Sequence, residues 1–437
     1  MLGKESALEL LEQAVRHSSA DSVEVVIEGD DRQVTRFARS AIDQNMAESN
    51  VRVTVRAVLG KRLGYASTNR LGARGILDAV ERAEHLASLQ AEDPAFVSLP
   101  GPAPLPQVRT FHPATAASSP EQRAEAVASI VRALGSLGCE ASGWLSAECS
   151  ELAVGNSLGI RAYAPLTTAR LVLVASSGDA SGYALWEGRD ISVLDPSQVA
   201  ARAGRKCTDS RNPIGLGPGS YPVILEPAAV ADMLQTLAYV GLSATSLQEQ
   251  RSFLSGRLGE QVASPLVSLW DDGEDERTLA MPFDFEGVPK QKVTFIEAGV
   301  ARGVVYDSYT AHKEGRSSTG HALPPPNVWG PYPLNLVMAA GDTSEQAMIE
   351  GMERGLLVTS FHYSNVLQPK ETSWTGMTRH GTFLIEGGRI SRPIRNLRFT
   401  DTILGALNRL EAVGDRQELI GGMLCPALAI SSFTFTS

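Results

Sequence analysis

Apolar residues recur along this chain at two spacings, and the spacing sorts it into helices and strands. Leu8, Leu11 and Val15 share one face of a first helix, opened by Ser6 and Glu9 in a capping-box pattern. Val23–Glu28 reads as a strand and Thr35–Ile42 as a second. Asn50–Leu59 alternates apolar and polar, as a half-buried strand does, and turns through Gly60-Lys61 into a partner at Arg62–Ser67. Helices are predicted at about 71–89, 120–137 and 196–209. Between the last two lie two hairpins, 148–154 with 160–164 and 168–176 with 182–189. From Gly215 the pattern changes. One short strand, Pro222–Leu225, leads into an apolar helix, Pro227–Val240. Most of the rest predicts strands, at 292–297, 300–309, 334–339, 355–361, 381–386 and 389–394. A helix at 344–354 is predicted with Thr343 and Gln346 at its start.

This order gives an α+β fold. An N-terminal domain, residues 1–214, mixes helices with antiparallel hairpins and contains a proline-rich linker at about 99–108. A C-terminal domain, residues 215–437, is mostly antiparallel β. No internal repeat is visible in the sequence. At 437 residues and 43% apolar, the chain can bury a large core. The formal net charge of -10, with no block of Lys or Arg, argues against direct nucleic-acid binding and against an anionic membrane surface. The four cysteines form no C-x-x-C pair, and the N-terminus lacks an apolar leader core, so the expectation is a cytoplasmic protein.

The motifs are sparse. Gly155-Asn-Ser157-Leu-Gly159 matches G-x-S-x-G, but strands flank it on both sides, so a turn is the better reading than a nucleophile elbow. Gly215-Leu-Gly-Pro-Gly219 feeds a strand rather than a helix N-terminus and reads as a linker, not a phosphate loop. The acidic run Asp271–Glu276 lacks EF-hand spacing and reads as a solvated turn. Asp284 and Glu286, two apart, share one face of a strand. Paired carboxylates suit acid–base work, although a structural role is favoured here. His312 and His321 have no helical metal spacing. The loop Ser318-Thr319-Gly320-His321 is the candidate substrate-binding segment, because such loops present backbone donors to a groove. His362 lies further along, and Cys425 sits among apolar residues as a buried thiol.

The order of segments resembles the TldD/PmbA family (PmbA is also called TldE), once described as modulators of DNA gyrase. In the first half the resemblance rests on Thr35-Arg-Phe-Ala, Val53 to Gly60, Ala66-Ser-Thr-Asn69 and Asn156-Ser-Leu-Gly159. In the second half it rests on Val223-Ile-Leu-Glu-Pro227, Ser252 to Pro265, Pro282 to Val288, Ile296-Glu-Ala-Gly-Val300, Ser318 to His321 and Leu384 to Ile390. It implies a two-subunit zinc peptidase. In the TldD-type subunit a helix carries His-Glu-x-x-x-His and a cysteine near the C-terminus completes the ligands. Counted from Ser252, these positions fall on Gln235, Thr236, Val240 and Ile420 in this chain. The resemblance therefore implies a PmbA/TldE-like subunit with no metal of its own, inactive alone. Zinc is expected in a TldD-type partner, in a heterodimer, with self-pairing left open. Unfolded or extended peptides are the expected substrates. Two alternatives remain: an independent hydrolase using Asp284/Glu286 or Ser157, and an interaction protein of the gyrase-modulator kind.

Overall fold

Residues 22–188 build one antiparallel sheet and residues 219–435 a second, mixed one. The computed structural model describes residues 1–437, the side chain of Ala73 apart. The first half runs α1 (Lys4–His17), β1 (Ser22–Ala38), β2 (Ala41–Leu59), β3 (Arg62–Thr68), α2 (Ala73–Leu89), a single turn α3 (Pro113–Ala116), α4 (Pro120–Gly135), β4 (Glu140–Asn156), β5 (Arg161–Ser177), β6 (Ala180–Gly188) and α5 (Pro196–Asp209). The sheet order is β3-β2-β1-β4-β5-β6.

That order holds a repeat invisible in the residues. Helix, three antiparallel strands and helix occur twice, as α1-β1-β2-β3-α2 and as α4-β4-β5-β6-α5, and the two copies join along β1 and β4. The last strand of each copy carries a glycine at its third position, and each glycine is crossed by the helix that follows. A Cβ on Gly64 would lie 2.1 Å from the Ala83 carbonyl oxygen and 2.3 Å from the Ala87 nitrogen. One on Gly182 would lie 2.1 Å from the Ala203 oxygen and 2.5 Å from the Cys207 nitrogen. Both obstacles are backbone, so neither can swing aside.

Several sequence expectations change here. The first helix starts at Lys4, two residues before the predicted cap, because the Glu151 carboxylate accepts from the Leu2 and Gly3 amides at 2.5 and 3.0 Å. The segments 23–28 and 35–42 belong to one hairpin of long strands, β1 with β2. Its turn is Arg39-Ser40, both at positive φ, where a glycine or asparagine signal is usual. The predicted strands 160–164 and 168–176 are one strand, β5. Pro165 is tolerated because β6 pairs only from Ala169 onward, which leaves that stretch at the sheet edge.

The second half contains β7 (Gly219–Leu225), α6 (Pro227–Gly241), α7 (Ala244–Gln248), β8 (Leu269–Asp271), β9 (Val293–Glu297), β10 (Val300–Ala301), α8 (Ser308–Lys313), β11 (Leu336–Met338), α9 (Glu345–Glu350), β12 (Arg354–Gln368), β13 (Ser373–Glu386), β14 (Arg389–Pro393), β15 (Arg398–Thr402), α10 (Ile403–Asn408), β16 (Leu410–Ile420) and β17 (Met423–Phe435). The predicted strand 300–309 ends early, since Asp307 caps α8 through its carboxylate. The predicted helix 344–354 is shorter, and its cap is Ser344 rather than Thr343. Strands β17, β15, β13, β12 and β7 pair in sequence, and β7 pairs back to β17, which closes a ring. Inside it Phe361, Trp374, Phe399 and Phe433 stack edge and face, with centroids 4.5 to 5.9 Å apart. Helix α6 packs into the core of this half, with nine of its fifteen residues buried. Among the described residues no helix is long and apolar enough to cross a membrane.

The glycine contacts make a direct prediction. Gly64→Ala and Gly182→Ala should each destabilise the protein by about 2 kcal/mol, because the helix must move off its strand. Urea midpoints of the two variants, with unchanged circular dichroism at zero urea, would measure this. A midpoint equal to the parent's would refute the close approach.

Candidate functional site

Helix α6 presents one polar stripe. Ala228, Ala231, Asp232 and Gln235 recur at helical spacing and face a cavity of about 360 Å³. The rest of the wall comes from strands of both sheets and a turn. Arg170 and Tyr183 reach in from the first sheet, Ser360 and His362 from β12, Arg379 and His380 from β13, and Ile420-Gly421 from the β16–β17 turn. Of the positions aligned with the expected zinc ligands, Gln235 and Ile420 therefore meet at one cavity. Thr236 and Val240 do not line it. The Thr236 hydroxyl bonds back to the Asp232 carbonyl at 2.8 Å, and Val240 is buried in the core.

The electrostatics of this cavity oppose a cation. Burial and then the Arg379 guanidinium push the imidazoles down, His380 to about 4 and His362 in the same direction. His380 is further fixed by the Ser181 hydroxyl at 3.1 Å and by stacking on Tyr183. Burial raises Asp232, whose carboxylate accepts from the Ser364 hydroxyl. The side chains at the positions where the ligands were expected are an amide, a hydroxyl already bonded and two aliphatics. Zinc needs three or four thiolate, imidazole or carboxylate donors converging at about 2.0–2.3 Å. Among the described residues no three His, Cys, Asp or Glu side chains converge in that way. These residues do not fit the metal.

The other sequence candidates fall elsewhere. His321 is 1% exposed. Its Nε2 lies 2.8 Å from Asp271 Oδ1 and its Nδ1 2.9 Å from the Thr319 hydroxyl, while Lys290 Nζ sits 3.4 Å from the same Asp271 oxygen. Ser318 Oγ donates to the Tyr306 carbonyl and accepts from the Gly320 amide. Gly320 has φ +73 and sits against the Pro289 carbonyl, so only glycine fits. Gly320 and His321 are buried and Ser318 and Thr319 half-buried, so the segment 318–321 braces the chain around Asp271 and Lys290. Asp284 and Glu286 lie in a turn, not on a strand. The Asp284 oxygens accept from the Glu286, Val288 and Ala322 amides. Burial and the neighbouring Glu286 push Asp284 up to about 8. Ser157 closes the β4–β5 hairpin, and its hydroxyl accepts from the Val23 amide at 3.0 Å. Burial pushes the Cys425 thiol up, and an inert thiol results. The residues missed in the sequence are Arg170, Tyr183, Asp232, Arg379 and His380. Asp232 alone left a signal, as the one charge in an otherwise apolar helix.

Two family models cover the chain, the PmbA/TldA metallopeptidase C-terminal domain over residues 218–437 and the PmbA/TldA metallopeptidase domain 1 over residues 23–87. The chain belongs to the PmbA/TldD family. It is similar to the Metalloprotease PmbA of Escherichia coli, 25% identical over 391 residues, which cover 84% of this chain and 82% of that protein. It is 28% identical over 231 residues to the Metalloprotease TldD homolog of Haemophilus influenzae, 52% of this chain and 44% of that one, so the match spans under half of that relative. Among solved structures, TldE from Thermococcus kodakarensis superposes with TM-score 0.90 at 22% identity, over 99% of this chain and 100% of the other. That likeness establishes a shared PmbA/TldD fold across the whole chain.

The brace around His321 has a pH signature. Burial, and then Lys290, lower the His321 pKa, so the folded ring stays neutral where the unfolded one is protonated. Its contribution to stability is present above about pH 6.5 and is lost as the pH falls below that value. Asp271 has the same sign. Burial opposes its ionisation, but Lys290 and His321 hold it down at about 2, and its contribution fades as the pH falls from about 4. Urea unfolding at pH 5, 6, 7 and 8 should show His321→Gln losing less stability on acidification than the parent. An equally steep fall in both proteins would refute the neutral ring.

Proposed function

We propose that this chain is the non-catalytic, PmbA/TldE-like subunit of a TldD-type zinc metallopeptidase. Its role is to help enclose and hold an unfolded or extended peptide while the partner supplies zinc and cuts. One observation carries the reading. The stripe of α6 that faces the 360 Å³ cavity offers Ala228, Ala231, Asp232 and Gln235, and Ile420 closes the opposite wall. A metal-binding helix needs imidazoles there, and a guanidinium at Arg379 stands beside the two imidazoles that remain. The fold is intact around this point, so what is missing is the donor set and not the frame that would hold it.

A separate hydrolase within the chain has less support. Asp284 is committed to three amides, its neighbour Glu286 to Arg56 and the Ser308 amide, and Ser157 to a hairpin. Zinc, when bound in the partner, supplies a polarised water; the residues of this chain are left to bind and orient the peptide.

The test is reconstitution. The purified chain alone should hold no stoichiometric zinc and should cleave unfolded casein at least about a hundredfold more slowly than its mixture with a subunit carrying His-Glu-x-x-x-His. A chelator should abolish activity of the mixture, and size-exclusion chromatography should show the two chains eluting together. Stoichiometric zinc in the lone chain together with peptide cleavage would sink the proposal.

A further inference from the structure

A second cavity, about 690 Å³, lies where the two halves meet and has no part in the α6 site. Its floor is a buried charge cluster. Arg56 Nη2 reaches Glu24 Oε2 at 2.8 Å and Glu286 Oε1 at 3.2 Å, so one guanidinium serves two carboxylates. Glu286 is completed by the Ser308 amide at 3.0 Å. Glu24 is not completed. It lines the cavity at 1% exposure, and its Oε1 has no hydrogen-bond partner among the described residues. A buried carboxylate oxygen in that state is costly, and a donor entering the cavity relieves the cost.

The rest of the wall selects the donor. Six carboxylates line the cavity, the others being Asp93, Glu249, Asp307 and Glu314, against two cations, Arg56 and Lys313. The sign favours a positive ligand. Tyr65 and Tyr309 add aromatic walls, and Lys313 Nζ already rests 4.4 Å from the centroid of Tyr309. Arg56 Nε is also buried without a partner, so a ligand with an acceptor near its cation meets both needs. Burial, with Glu286 adding to it, pushes Glu24 up to about 7, the direction expected of a carboxylate short of counter-charge.

We propose that this cavity binds the cationic side chain of a peptide, an ammonium or guanidinium with its backbone carbonyl close by. The peptide part of this proposal rests on the peptide-holding function above; the cation part stands on the cavity itself. The volume exceeds that of one lysine side chain and admits the flanking backbone.

Calorimetry on the full chain tests it with three probes: the N-acetylated, C-amidated tripeptide Gly-Lys-Gly, its norleucine isostere, and n-butylammonium. The lysine peptide should bind at least about tenfold tighter than the norleucine peptide, as a charge-assisted hydrogen bond predicts. Glu24→Gln should remove that preference. Asp93→Asn, at the cavity wall and outside the buried cluster, should reduce it severalfold and serves if Glu24→Gln fails to fold. Equal binding of the lysine and norleucine peptides overturns the cation site and leaves the peptide-holding function standing. Binding of n-butylammonium with neither peptide supports the cation site and counts against that function. No binding of any probe overturns the proposal, as does a lysine preference unchanged in both variants.

Discussion

Four cationic side chains from the first half of the chain are anchored on acceptors in the second, and the geometry of both cavities follows from that junction. Arg56 binds Glu286. Arg189 donates to the Thr278 and Ala280 carbonyls and to Thr110. Arg202 grips Glu418 through both terminal nitrogens at 2.6 and 3.0 Å, and Lys206 reaches Glu226 at 2.5 Å. In the reverse direction, Glu187 accepts from the Gly422 amide. Such partly desolvated pairs add little net stability against apolar substitutes, but they tolerate only one arrangement. Losing one partner strands the other in a dry place. The junction is therefore a positioning device, and the apolar cores on either side supply the stability.

The α6 cavity is a consequence of this positioning. Arg170 and Tyr183 belong to the first sheet, yet they form a wall opposite α6, and the β16–β17 turn that bears Ile420 is tied to that sheet through Glu187 and Gly422. The closed ring β17-β15-β13-β12-β7 fixes the other walls, because His362 and His380 stand on β12 and β13. Helix α6 is buried on most of its surface, and the residues it shows this cavity are Ala228, Ala231, Asp232 and Gln235. Chemistry at this point is decided by four or five side chains while the frame is held by dozens. The shape of this half therefore does not depend on which side chains line the cavity.

What the sequence revealed follows the range of each signal. Helix α5 was legible to the residue, since Pro196 opens it with Asp195 as its cap, and α6 was nearly so. The strands and their pairing in the first half were legible wherever a glycine or asparagine turn marked them, as at Gly60. They were not legible at Arg39-Ser40, where two ordinary residues adopt positive φ under the pull of a long ladder. The repeat of elements is not legible in the residues, because the two copies share only their order of elements and one close-packed glycine each. For the site, local pattern located the helix and the absence of donors on it. The partners Arg170, Arg379 and His380 come from strands 60 residues before to 140 residues after it, and no spacing rule connects them. His321 shows the opposite case. A loop of Ser, Thr and Gly suggests exposure, but these small polar groups are what a buried brace around Asp271 and Lys290 requires.

The two cavities have opposite electrical character, and the contrast constrains how a peptide could lie. Around α6 the cationic groups Arg170 and Arg379 face neutral imidazoles and a single aspartate. Between the halves, six carboxylates face two cations. Arg379, beside His362 and His380, sets the local potential around α6. A basic residue of a bound chain is then repelled from the α6 cavity and drawn to the interdomain one. An acidic residue or a terminal carboxylate has the reverse preference. A segment that approached this chain would be sorted along its length by charge, with hydrogen bonds to its backbone left to whichever strand edge it meets. Orientation of a charged segment would in this way depend on the field of the frame as a whole and not on any single side chain.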